Sequence, residues 1–110
     1  MEKQLAWLGG SKKIIRKFPT EARKEAGYQI YRVQQGLVPT DFKPMPSMGL
    51  GVFEIRLHRP HEHRVIYVSK FQEAVYILHA FEKKTQKTAE REIKVAKQSY
   101  KEMLLRRKNL

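Results

Sequence analysis

The chain has no cysteine among its 110 residues, which excludes disulfides, a thiolate nucleophile and zinc–thiolate sites. That suits a reducing cytoplasm. No apolar run approaches the roughly 18–20 residues needed to cross a bilayer, and the apolar core of the first ten residues is too short for a secretory signal. The expectation is a soluble, cytoplasmic protein with no membrane partner. An internal repeat, a low-complexity tract, a Gly-rich phosphate loop and a Ser/His/Asp spacing are also missing. Acidic residues are scarce: 11 stand against 23 Lys and Arg, for a net charge of +12.

The excess is unevenly spread. Residues 1–40 carry 8 basic and 3 acidic groups, residues 82–110 carry 10 and 4, and residues 41–81 only 5 and 4. So basic a chain is expected to bind polyanions, nucleic acid first. An anionic membrane surface or an acidic protein partner leaves the same signature. The length allows one domain, 1–110, with no room for a second core. An apolar fraction of 41% is enough for a globule and argues against a disordered tail.

Taken in order, Gln4 to Leu8 form a short strand around Trp7, ended by Gly9-Gly10. Ser11 suits the N-cap of a short helix, Lys12 to Lys17. Pro19 suits the first turn of a second helix and Gly36 its end. Between them Ala22, Ala26, Ile30 and Val33 recur as one apolar stripe. Residues 37–51 hold three prolines and two glycines, which predicts a long connection without a regular element. After Phe81 the chain turns basic, and Thr85 or Thr88 suits the cap of a last helix. There Ala89, Ile93, Ala96, Tyr100 and Leu104 form a second stripe. Residues 105–110 read as a frayed basic tail.

Between the first helices and the last lie three runs rich in β-branched and aromatic residues: Val52–Leu57, His63–Ser69 and Ala74–Phe81. They read as a three-stranded meander. Alternate residues on a strand face opposite sides, so Phe53, Ile55 and Leu57 share a face and leave Glu54 and Arg56 on the other. Arg64 falls with Ile66 and Val68, and His79 with Val75, Ile77 and Phe81. Charged groups inside apolar strands are costly unless they meet a partner or a wet cleft. The arginines either pair with Glu54, lie on a solvated face, or line such a cleft. The turn His58-Arg59-Pro60-His61-Glu62-His63 holds three histidines and a carboxylate. It lacks a fourth ligand upstream, so a solvated turn is the stronger reading than a metal site.

Glu54-Ile55-Arg56, Arg64 to Val68, and Leu78 to Thr88 with its Lys-Lys-Thr-Gln-Lys-Thr tail resemble toxins of the RelE/ParE superfamily. Within it the chain looks most like the phage-related, HigB-like branch of type II toxin–antitoxin systems, from about Trp7 to Tyr100. Lys43-Pro44-Met45, in the loop before the meander, matches as well. The resemblance implies an α+β fold: a small antiparallel sheet (N-terminal strand plus meander) packed against two N-terminal helices and a C-terminal helix. It also implies an endoribonuclease, or mRNA interferase, that cuts mRNA on the ribosome and is neutralised by a cognate antitoxin, a small helix-turn-helix protein. The ParE branch offers an alternative, a gyrase inhibitor that cuts no RNA. A basic nucleic-acid-binding module is a third reading, which leaves the arginines within strands unexplained.

If both helix stripes bury against one sheet face, the other is free to line a basic cleft. RNA brings its own nucleophile, the 2′-hydroxyl, so cleavage calls for no metal and no cofactor. The protein must aid proton transfer and stabilise the charged transition state, and guanidinium groups suit the second task. Arg56, Arg64 and Lys84 match the family's basic positions and are the candidates for it. His79 is a candidate acid or base, or a buried structural histidine. Lys43, Lys83, Lys87 and Arg91 are candidate RNA contacts. Some family members carry a tyrosine after the basic tail, where this chain has Glu90. In an open cleft, replacing Arg56, Arg64 or Lys84 by alanine is expected to shift stability by about 0.5 kcal/mol or less.

Overall fold

The structure, a computed structural model, describes residues 2–110. The elements run β1 (Gln4–Trp7), α1 (Ser11–Arg16), α2 (Thr20–Gln34), β2 (Phe42–Pro44), β3 (Val52–Leu57), β4 (His63–Val68), β5 (Ala74–Glu82) and α3 (Glu90–Arg107). The fold is α+β, as the sequence predicts. The strands form one sheet in the order β1-β5-β4-β3-β2. The meander is antiparallel, and β1 joins it parallel to β5. The proline-rich connection does contain a regular element, since β2 pairs with β3 across Phe42↔Ile55, Lys43↔Glu54 and Pro44↔Phe53. Pro44 is tolerated because β2 is an edge strand, where a missing N–H breaks no ladder.

Both faces of the sheet are covered, contrary to the expectation of one covered and one open. The α2 stripe of Ala22, Ala26, Ile30 and Val33 packs with Ile55, Leu57, Val65, Tyr67, Val75 and Ile77 on one face. On the other, Ala96 and Met103 of α3 pack with Val52, Ile66, Val68, Tyr76, Leu78 and Phe81. Every residue of β4 and all of β5 up to Phe81 are buried. Apolar strands without alternation belong to a sheet sandwiched on both sides. Desolvation of Tyr67 in the α2-side core pushes its phenol up to about 12.

Smaller expectations also shift. Gly10, not Ser11, occupies the N-cap of α1, and the Ser11 hydroxyl donates instead to the Ile77 carbonyl at 3.1 Å. Neither threonine caps α3, whose N-cap is Ala89; Thr85 Oγ1 donates to the Lys87 carbonyl. Met103 rather than Leu104 turns inward, and Leu104 is exposed. The helix persists through Arg107 rather than fraying from 105. Arg107 Nε donates to Glu73 Oε2 at 2.6 Å, and the guanidinium stacks 3.5 Å above the Phe71 ring. Among the described residues no helix is long and apolar enough to cross a membrane.

Candidate functional site

Beyond the cover of α3, its face of the sheet carries a cluster of charged side chains. Register places them in rows across the strands. Lys43, Glu54, Ile66 and His79 form one row, and Arg56, Arg64 and Phe81 the next. Lys83 follows β5, where its N–H donates to the Glu62 carbonyl at 2.8 Å.

A bulge decides which face His79 takes. Ile66 pairs with His79 but Tyr67 pairs with Ile77, so Leu78 is an extra residue. Leu78 and Phe81 therefore lie on the α3 side, while Val75 and Ile77 lie on the α2 side. His79 follows Phe81, not Val75 and Ile77 as strict alternation predicts. Its Nε2 meets Glu92 Oε1 of α3 at 2.9 Å, and its ring lies 5.5 Å from that of Phe81.

Glu54 is the residue that sequence reasoning missed as a centre; it stood there only as a possible partner for the arginines. It is buried to 3% exposure. Burial pushes its carboxyl above the usual carboxylate range, while Arg64, Lys83, Arg56 and Lys43 pull it back. Four of the predicted basic residues thus converge on one acid.

Arg64 does not face an open cleft. It is 2% exposed, and its Nη2 pairs with Glu62 Oε1 at 2.9 Å. Nη1 donates to the His63 carbonyl at 2.9 Å. Its Nε stands 3.5 Å from Glu54 Oε1, an ionic contact rather than a hydrogen bond. The small stability change expected for its removal from an open cleft therefore does not apply to Arg64, whose side chain is buried. Arg56 is half-buried, and its backbone N–H donates to the Asp41 carbonyl at 2.9 Å. Among the described residues, three buried side-chain polar atoms lack a hydrogen-bond partner: Glu54 Oε2, Arg56 Nε and Arg64 Nε. All three belong to this cluster. Buried polar groups are rarely left unpaired, so the concentration of three here sets this cluster apart from the rest of the described residues.

Lys84 and Arg91 lie to one side, lining with Lys83, Phe81 and Glu92 a small hollow of about 40 Å³ at the start of α3. Both are exposed, as is Lys87 in the loop between β5 and α3. The histidine turn does not gather a metal set. His63 is buried against Phe18, ring centroids 4.5 Å apart, and His58 lies between Asp41 and Glu62. Among the described residues no three His, Cys, Asp or Glu groups could hold a metal ion.

The fold is thus a five-stranded α+β sheet that carries a cationic cluster around one buried acid. The chain belongs to the Phage derived protein Gp49-like family (DUF891), whose model matches residues 13–101. That family is of RelE/ParE type, toxins of toxin–antitoxin systems, and such a toxin has an antitoxin as its partner. Among curated proteins the chain has no match.

Proposed function

We propose that this chain is a HigB-like mRNA endonuclease that acts on the ribosome, in the cytoplasm, and stops translation. The observation that carries this reading is the clustering of Glu54 Oε2, Arg56 Nε and Arg64 Nε as unpartnered buried polar atoms. One acid and two guanidinium groups are what 2′-hydroxyl attack on a phosphodiester asks of a protein. Glu54, held partly back from ionisation by burial, takes the proton of the 2′-hydroxyl. The oxygen attacks phosphorus, a 2′,3′-cyclic phosphate forms, and the 5′-oxygen leaves and is protonated. Arg56, the half-buried arginine, meets the charge that builds on the non-bridging oxygens, and the buried Arg64 adds its field from beside Glu54.

His79 stands in the same row as Glu54, two strands away. Strand spacing makes that roughly 10 Å, with Ile66 between them on the same face. His79 is the candidate to protonate the leaving 5′-oxygen, with Glu92 orienting the ring. Lys43, Lys83, Lys84, Lys87 and Arg91 hold flanking phosphates as movable point charges. The antitoxin binds tightly and covers or distorts this basic face, with an association rate that falls as salt rises.

The test is induced expression followed by mapping of transcript ends, alongside purified protein in a translating extract. Cuts in mRNA that require ribosomes support the reading. Intact mRNA with inhibited gyrase overturns it in favour of the non-nucleolytic branch. RNA binding without either effect leaves a plain nucleic-acid-binding module.

A further inference from the structure

We propose that His58 is a positioning residue for this site, holding Arg64 against Glu54 through Glu62. The inference rests on the reading of Glu54 and Arg64 as the reacting pair.

The geometry is a continuous chain of ionic contacts from the strand edge to the buried acid. His58 Nε2 stands 2.6 Å from Asp41 Oδ2, and its Nδ1 stands 2.9 Å from Glu62 Oε2. Glu62 Oε1 in turn pairs with Arg64 Nη2 at 2.9 Å, and Arg64 Nε faces Glu54 Oε1 at 3.5 Å. Both ring nitrogens of His58 meet carboxylates, so both must donate, and only the imidazolium can do that. A neutral ring has one N–H and turns a lone pair toward the other carboxylate. Arg64 is buried, with Nη1 donating to the His63 carbonyl and Nη2 paired with Glu62, each at 2.9 Å. Of these two holds, the one through Glu62 reaches on to His58, the other side-chain partner of Glu62.

The groups facing His58 come from several elements. Asp41 precedes β2, Glu62 precedes β4, Arg56 lies on β3 and Arg59 in the turn. Glu21 and Glu25 of α2 line the same 290 Å³ cavity as His58. Three carboxylates besides Glu62 surround two guanidinium groups, a balance that favours the charged ring. Consistent with this, hydrogen bonds to Asp41 and then Glu62 raise the pKa of His58, and the bond to His58 is the largest cause lowering that of Glu62. His58 is thus charged below its raised pKa. As pH rises through that value it releases a carboxylate, and the hold on Arg64 slackens.

The experiment compares wild type, His58→Gln and His58→Arg as full chains. Cleavage is followed against pH with kcat and KM separated, and exchange of the Arg64 Nε–H is followed by nitrogen-15 NMR. Wild type is expected to lose kcat on the alkaline side. His58→Gln should lower kcat by roughly ten- to a hundredfold, the scale of a misplaced reacting group. It should leave KM unchanged, lack the alkaline loss and speed Arg64 exchange. His58→Arg keeps a permanent cation between the two carboxylates and should restore the rate without the alkaline loss. A wild-type kcat profile in His58→Gln, or the same Arg64 exchange in all three proteins, overturns the inference. If wild type cuts no RNA, the proposed function fails by itself, and the exchange measurement still decides whether His58 holds Arg64.

Discussion

Arg56 and Arg64 stand directly opposite one another across the β3–β4 ladder. Opposed residues in an antiparallel pair have Cβ atoms about 4.5–5.5 Å apart, and like charges there are destabilising. The sheet tolerates the pair because acids flank it. Glu54 is two residues along β3 from Arg56 on the same face, and Glu62 holds the far end of Arg64.

The two arginines should differ sharply when replaced. Arg64→Ala strips a buried carboxylate, Glu54, of its nearest cation and opens a gap. Breaking a buried pair in this way costs about 3–5 kcal/mol. Arg56 is half-buried and makes no ion pair shorter than 4 Å among the described residues, so Arg56→Ala should cost about 1 kcal/mol or less. Thermal unfolding of both variants at neutral pH decides it, and equal losses would refute the burial argument. Arg64→Lys should keep part of the stability but little of the cleavage, since the fork geometry is gone.

The two helix stripes are also unequal. Ile30 on α2 is 3% exposed and Met103 on α3 fully buried, so Ile30→Ala and Met103→Ala should each cost about 2–5 kcal/mol. Ile93 is only partly buried against the α3-side core. Ile93→Ala should cost well under either, although its place in the stripe looks equivalent. Denaturant midpoints for the three variants, at unchanged m-value, give the ranking.

That contrast shows what the sequence could convey. Helical periodicity located α2 and α3, and β-branched runs located β3 to β5, because those signals are local. Alternation also put Arg64 with Ile66 and Val68 correctly. The two-sided cover was legible too, in the unbroken apolar runs Val65–Val68 and Ala74–Leu78, but a single alternating face was assumed. The bulge at Leu78 was not legible, because it exists only in the pairing of β5 with β4, and it moved His79 to the other face. The role of Glu54 depended on register, and the bridge from His58 to Asp41 joins residues 17 apart in the chain. Pairings at that range leave no periodic trace.

The loop before β3 is pinned by a close approach that only glycine permits. Gly49 has φ +153°, and a Cβ there would lie 2.7 Å from the Tyr100 ring of α3. Tyr100 Oη donates to the neighbouring Leu50 carbonyl at 3.1 Å. Gly49→Ala should therefore cost about 1–3 kcal/mol, the scale of overpacking, and loosen amide protection across Met45–Gly51. In a Tyr100→Ala background the clash disappears, so the same substitution should cost much less. A double-mutant cycle measures that difference.

Glu54→Gln sets stability against function at one atom. The folded-state pKa of Glu54 is raised by burial, so between the unfolded value of 4.5 and that raised value the folded chain binds more protons. Stability contributed by Glu54 then falls as pH climbs through this window, and above it the ionised form is a net burden. Removing the charge takes one ionic contact from Arg64. Arg64 keeps its 2.9 Å contacts with Glu62 and the His63 carbonyl, however, so relief of desolvation wins. Glu54→Gln should melt at or above the wild-type temperature at pH 7, and the advantage should shrink as pH is lowered through the window. Cleavage should fall by roughly 10²–10⁴-fold, the usual contribution of a general base, and the acid limb of the rate profile should vanish with it. Unfolding and cleavage measured on the same preparations separate the roles. A variant that melts early yet still cuts would make Glu54 a structural counterion and nothing more.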